Sequence, residues 1–454
     1  MFNKQDTFVL EEEQKTIVLS SNTENDLVKK VLKTLDFDLE NHQSEPFTTL
    51  FTLGKLKSKK VIFINHQLED WTKALKTIST LKEDVLLLLD TFDEEKITGL
   101  FEGLLTSGYT FNKFKTKDPQ DKYLRSYTST NDYSEVIHKG IVLGEAINHT
   151  KDLVNTPYNY MNASDLADYA SSLDVIDRVK VRVLNKKDIE ALNMGAFLGV
   201  NKGSLHEPKL IHLEYTGDSS NTELTALIGK GVMYDTGGYS LKTPQSMPSM
   251  KCDMAGAATV LGAFEAISRL KLKQNVSVVI AATDNRIGDE AIVPDDIVTA
   301  ANGLTIEIIS TDAEGRLTLA DALWYAQKKG ATKMIDLATL TGAVVAALGK
   351  EFTGAFTNNK TFLNELVEVS KETKESLWEL PISKGYKDEL KSYVADLKNK
   401  GGRLAGASVA AAFLEYFVEN DTPWIHLDIA GTSFDSTNGA TGIMVKTLVK
   451  YFEQ

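Results

Sequence analysis

The chain has 454 residues, of which 42% are hydrophobic and 25% charged, and a net charge of −13. That length exceeds what one small core organises, so two domains are expected. The acidic balance weighs against a general nucleic-acid binder, which needs a basic face for phosphates, and the single cysteine, Cys252, excludes an intramolecular disulfide and fits a reducing cytosol.

The first residues, Met1 to Asp6, lack an apolar signal core. The longest apolar runs, such as Val85 to Leu89, are too short to span a bilayer. A cytoplasmic protein with no membrane partner is therefore expected. Residues 1–130 alternate strand-like and helix-like segments. Phe8–Leu10, Thr16–Leu19, Lys60–Ile64 and Val85–Leu89 read as strands. Asn25–Leu35, Trp71–Leu81 and Lys96–Leu105 read as helices. This is a smaller N-terminal α/β domain without a catalytic cluster. His66 and His138 stand alone and read as surface or hydrogen-bonded histidines.

Lys115 to Asp132 is polar and reads as a connection. Ser134 to Leu153 places Ile137, Ile141, Leu143, Ala146 and Ile147 at helical spacing and breaks before Pro157. The expected organisation is 1–130 as the first domain, 131–154 as a linker helix and 155–454 as the larger catalytic α/β domain. In the latter, Ala163–Ser171 reads as a helix, and Val179–Leu184, Leu210–Tyr215, Leu224–Ile228, Val276–Ala282 and Met334–Leu337 as strands. Helices are expected after Asp253 and over Leu319–Lys329. Strand, turn and helix in succession imply a mostly parallel mixed sheet flanked by helices, with ligands at strand ends.

Two islands carry the chemistry. The first runs from Gly229 through Lys230, Asp235 and Gly238 to Lys242 and Met250-Lys251-Cys252-Asp253-Met254. The second is Ser310-Thr311-Asp312-Ala313-Glu314-Gly315-Arg316-Leu317. Their acids sit among glycines and small residues rather than in the mixed-charge pattern of a solvated helix face. Four converging carboxylates repel one another unless cations lie between them, so the pattern suggests a two-metal hydrolytic site. No histidine cluster supports a single-zinc metalloprotease. Cys252, in a segment read as extended, faces away from Asp253 as a small buried residue. His426 sits in an alternating strand and reads as structural.

These islands resemble the cytosol leucyl aminopeptidase family of two-metal exopeptidases. The second matches the family signature Asn-Thr-Asp-Ala-Glu-Gly-Arg-Leu with Ser310 in place of Asn. The first matches Gly-Lys-Gly, Asp-Ser-Gly-Gly and Met-Lys-x-Asp-Met with Thr236 in place of Ser. Weaker matches are Leu153 to Pro157, Ala338 to Ala343 and Trp424 to Gly431. The resemblance covers residue 134 onward. It implies that Lys230, Asp235, Asp253 and Glu314 bind a tighter metal. Asp235, Asp312 and Glu314 would bind a more exchangeable one, both ions being zinc or manganese, with magnesium the further option. It implies hydrolysis of N-terminal, leucine-like residues from short peptides by a metal-bridging water. Lys242 would stabilise the oxyanion, and Arg316 would hold a bicarbonate acting as general base. Met250, Thr339, Leu340 and Gly342 would line the pocket for the first side chain, and the assembly would be a homohexamer.

The blander readings stand beside these: a salt bridge from Lys230 to Asp235, a solvated Lys242, an ion pair from Arg316 to Asp312 or Glu314, and ordinary core for Met250 and Leu340. Asp284-Asn285 replaces the family's Glu-Asn, and Asp295-Asp296 replaces Gly-Asp. None of these departures touches an expected ligand. Alternatives of other classes are another two-metal hydrolase, such as a phosphoesterase, and a hexameric DNA-bound architectural role, against which the net charge counts.

Overall fold

Odd and even positions of the N-terminal strands separate onto two apolar faces, because successive strand side chains point to opposite sides. A computed structural model describes residues 2–42, 44–65, 71–116 and 123–454, so His66 lies outside the described residues. Its contacts divide the chain into two compact units, Met1–Asn148 and His149–Gln454.

In the first unit six strands, β1 (Phe2–Lys4), β2 (Thr16–Ser20), β3 (Phe47–Phe51), β4 (Lys60–Ile64), β5 (Val85–Leu88) and β6 (Arg125–Thr128), lie in the order β1-β6-β5-β2-β4-β3. All pairings are parallel except β3 with β4. Ile17, Leu19, Phe63 and Leu86 pack against Val28 and Val31 of helix α1 (Asp26–Leu35). Val18, Ile62, Val85 and Leu87 pack on the other side, against Ile78 of α2 (Thr72–Ser79) and Phe101 of α3 (Glu94–Ser107). Each such side chain contributes roughly 1.5–3 kcal/mol when fully buried. A one-residue register slip would exchange the two faces. Asn25 accepts from the amides of Leu27 and Val28 and so caps α1.

Two sequence expectations need correction here, and two strands went unforeseen. Phe8–Leu10 forms no strand. The polar connection contains β6, whose single fully buried residue, Ser126, gives no apolar signal. The edge strands β1 and β3 are half-exposed, which removes the alternation that would mark them.

Helix α4 (Ser134–Asn155) runs through the boundary between the units. The second unit holds an eight-stranded sheet: β7 (Val179–Leu184), β8 (Lys209–Thr216), β9 (Thr225–Asp235), β10 (Asn275–Asn285), β11 (Lys333–Ala338), β12 (Thr353–Thr357), β13 (Leu377–Glu379) and β14 (Trp424–Asp428). Their order is β13-β12-β14-β11-β9-β10-β8-β7. The central four, β14, β11, β9 and β10, are mutually parallel, while β7, β8 and β12 join antiparallel. The architecture is the mixed α/β one expected.

Helices α5 (Ala163–Ser172), α6 (Ala255–Arg269) and α7 (Gly315–Lys328) flank this sheet. Central strands carry apolar residues on both faces, as strands covered by helices do. β9 runs on beyond the expected Ile228 as far as Asp235, so Lys230 lies within the strand. His426 is fully buried, and its Nδ1 lies 2.6 Å from Asp336 Oδ1 on the adjacent β11, a structural pairing. Asp295 adopts φ 78°, in the left-handed region. That explains the glycine usual in the family, and aspartate is among the few residues that tolerate it.

Candidate active site

The carboxyl ends of the four central parallel strands gather the polar residues, where a parallel sheet opens a crevice. Asp235 ends β9, Asn285 ends β10, Thr339 follows β11 and Asp428 ends β14. Of these, Asp235 and Thr339 line a cavity of about 750 Å³. Every sequence-predicted site residue lines it: Lys230, Asp235, Lys242, Met250, Asp253, Asp312, Glu314, Arg316, Thr339, Leu340 and Gly342.

Two ammonium groups thread four carboxylates. Lys230 Nζ lies 2.8 Å from Asp253 Oδ1 and 2.9 Å from Glu314 Oε1, and donates to the Thr339 carbonyl at 3.1 Å. Lys242 Nζ lies 2.7 Å from Asp235 Oδ2 and 2.6 Å from Asp312 Oδ1. Lys230 therefore pairs with Asp253 and Glu314 rather than Asp235, and Lys242 is not a solvated lysine. Burial works against the Lys230 ammonium, but Asp253, Glu314 and Asp235 outweigh it and hold its pKa above the usual lysine range. Lys242 is shifted the same way, with Asp235 and Glu314 overcoming burial.

The acids divide. Burial, then Glu314, raises Asp235 to about 6 against the pull of Lys242 and Lys230. Burial likewise raises Asp253 and Asp312. At Glu314 burial is outweighed by Lys230 and Lys242, and the pKa falls. Carboxylate oxygens of Asp235, Asp312 and Glu314 lie within 4.8 Å of one another. Lys230 Nζ lies 2.8 Å from Asp253 Oδ2 as well, so the ammonium spans both oxygens of that buried carboxylate.

Local backbone makes this crowding possible. After β9 the chain turns through Gly237 (φ 84°) and Gly238 (φ 61°). A Cβ on Gly237 would come within 2.9 Å of Asp312 Oδ1. A Cβ on Gly315 would lie 2.5 Å from Lys230 Cε, so only glycine lets the lysine stem pass the start of α7. Cys252 and Asp253 lie in a 3₁₀ turn, Met250–Met254, not in the extended segment expected. Cys252 is buried as expected, but it borders the cavity. Burial raises its thiol pKa to about 12, which leaves it inert.

Several supporting residues were given no role by the sequence. Asn285 donates from Nδ2 to Asp235 Oδ1 at 2.8 Å and to the Thr311 carbonyl at 2.9 Å, joining the two islands. Thr311 donates its hydroxyl to the Gly237 carbonyl and accepts from the Ser240 amide. Asn399, fully buried, donates to the Ser310 carbonyl at 2.7 Å and accepts from the Ile309 amide at 2.8 Å. Asp428 accepts from the Leu340 amide and the Thr341 hydroxyl, fixing the loop after β11. A polar residue closing an apolar strand could have flagged Asn285 and Asp428. Nothing marks Asn399.

Arg316, in the first turn of α7, makes no ion pair among the described residues, contrary to the blander reading. Its Nη1 donates to the Asn399 carbonyl at 2.9 Å, and its buried Nε has no partner. Burial lowers its pKa to about 10, so it stays cationic at neutral pH. Ser310 is buried, and its hydroxyl accepts from the Asp312 amide at 3.3 Å.

Comparison with known proteins points the same way. The model of the cytosol aminopeptidase family catalytic domain matches residues 148–449. A solved structure of a tomato leucine aminopeptidase variant superposes with a TM-score of 0.85 at 29% identity, covering 100% of this chain and 96% of that one. The chain therefore belongs to the cytosol aminopeptidase family and is a metallo-aminopeptidase.

Proposed function

We propose that the chain is a two-metal aminopeptidase that removes leucine-like N-terminal residues from short peptides. The observation that carries this is the convergence of Lys230, Asp235, Asp253, Asp312 and Glu314 on one cavity that Met250, Thr339, Leu340 and Gly342 also line. The donor set fits divalent cations. Carboxylates outnumber ammonium groups two to one, and three of them meet within 4.8 Å. Lys230, Asp235, Asp253 and Glu314 would hold one ion, and Asp235, Asp312 and Glu314 the other. Zinc, manganese and magnesium all accept such donors. Bound there, the ions would supply Lewis acidity toward a carbonyl and an activated water.

The chain's own residues supply the rest. Lys242, the more exposed of the two lysines, would face the oxygen on which charge develops. Arg316 offers an unpartnered Nε–H, suited to holding a small anion such as bicarbonate as a proton acceptor. Met250 and Leu340 give the first side chain an apolar, shape-tolerant wall. Asn285 and Asn399 fix the loops that carry the acids.

Metal removal tests the reading. Chelation is expected to abolish leucyl-anilide hydrolysis, and refilling with zinc, manganese or magnesium to restore it to different extents. Loading must displace protons from Asp235, held near 6, and from Lys230, so reconstitution should weaken as pH falls below about 6. Full activity in metal-free protein, checked by elemental analysis, would overturn it. The homohexamer and the cytoplasmic location belong to the same reading. Sedimentation of the loaded protein checks the former, and an active species at the 50.1 kDa monomer mass counts against it.

A further inference from the structure

The cavity carries two cations that the four acids do not use. Lys400 and Arg403 line it, are exposed, and make no ion pair among the described residues. Their backbone is held. Lys400 directly follows Asn399, which is fully buried and whose carbonyl accepts from Arg316. The Gly402 amide donates to Glu389 Oε2 at 3.0 Å, and a helix, Gly406–Glu415, begins just beyond. Glu389, which holds this loop, is not among the residues lining the cavity. The two cations thus sit on a short, tied segment of the lining of the cavity that the acids also line.

A leucine side chain gains nothing from such a segment, whereas a carboxylate does. A dipeptide spans at most about 7 Å, so both of its ends fit within the 750 Å³ cavity. We propose that Lys400 and Arg403 recognise a carboxylate on the residue that follows the scissile bond. This makes the enzyme selective for peptides bearing one there. The carboxylate is either the C-terminus of a dipeptide or the side chain of an acidic second residue. The proposal rests on the aminopeptidase reading above.

The test compares kcat/KM of the metal-loaded full chain for Leu-Gly, Leu-Gly amide, Leu-Asp amide and leucyl p-nitroanilide. An exposed ion pair is worth up to about fivefold, so two should favour the carboxylate substrates about tenfold over Leu-Gly amide. A fast Leu-Gly with a slow Leu-Asp amide assigns the C-terminal carboxylate; the reverse assigns the side chain. Salt near 0.5 M, where the screening length is only about 4 Å, should shrink the preference. In the K400A/R403A variant the ratio should fall to near one, while K400R/R403K should keep most of it. Because the readout is a ratio, loss of folded protein cancels. Wild-type ratios within about twofold for both acids, or a ratio unchanged in K400A/R403A, would overturn the proposal. Failure of the aminopeptidase reading itself is separate and shows as no hydrolysis of the p-nitroanilide with any ion.

Discussion

Glu314→Ala is expected to abolish aminopeptidase activity while leaving the fold standing. Glu314 is buried at the start of α7, with Oε1 2.9 Å from Lys230 Nζ. Its oxygens lie within the same 4.8 Å cluster as those of Asp235 and Asp312. In the proposed assignment it touches both ions, and it is the acid whose charge the two lysines stabilise most clearly. Losing a group that only orients a metal ligand already costs about 10–100-fold. Losing a ligand common to both ions should therefore exceed that, on the order of 10³-fold in kcat/KM. The fold should survive, because the cores of the second unit lie in the sheet and helices rather than in the acid cluster. Alanine also leaves Lys230 paired with Asp253. The check is leucyl-anilide kinetics on purified protein, with circular dichroism for the fold and elemental analysis for the metal. Near-normal turnover at full metal content would sink the two-metal assignment.

How much of this was legible beforehand differed by element. The central strands were clear because both of their faces are covered, which leaves continuous apolar runs such as Val278–Ala282. The edge strands were not. Phe47–Phe51 carries two threonines and an exposed phenylalanine, and Arg125–Thr128 lies inside a polar stretch. At the site, the acids were legible because glycine and small neighbours are odd company for exposed charges. Lys230 was assigned through resemblance alone; in the structure it lies within a buried strand, its stem passing Gly315 and its ammonium paired with Asp253 and Glu314. Asn399 was illegible because it acts through backbone groups about 90 residues earlier in the chain. Lys400 and Arg403 likewise carry no local pattern that would place them on the cavity they line. Short-range pattern predicts what a residue is buried against, not which distant loop it will tie down.

Lys242→Ala is expected to lower kcat by about 10²–10³-fold, the usual loss for one oxyanion donor, with a smaller change in KM. Arg316→Ala should lose less, because its proposed role is to hold an anion rather than to meet the reacting oxygen. The arrangement of Lys242 adds a second expectation of opposite sign. Its Nζ sits 2.7 Å from Asp235 and 2.6 Å from Asp312, two of the three proposed donors to the exchangeable ion. Carboxylates and burial contend over that ammonium, and the carboxylates win, holding its pKa above the ordinary lysine value. In the metal-free protein it is therefore a competitor for these acids. Removing it should tighten binding at the exchangeable site even as turnover collapses. A purely structural lysine predicts the reverse, since its loss would loosen the loop and weaken metal binding and turnover together. Titration of zinc or manganese into the metal-free variant, read beside steady-state kinetics on the loaded one, separates the two. An unchanged kcat would reject the catalytic role, and a kcat that falls in step with metal affinity would show that Lys242 acts only by holding the site together.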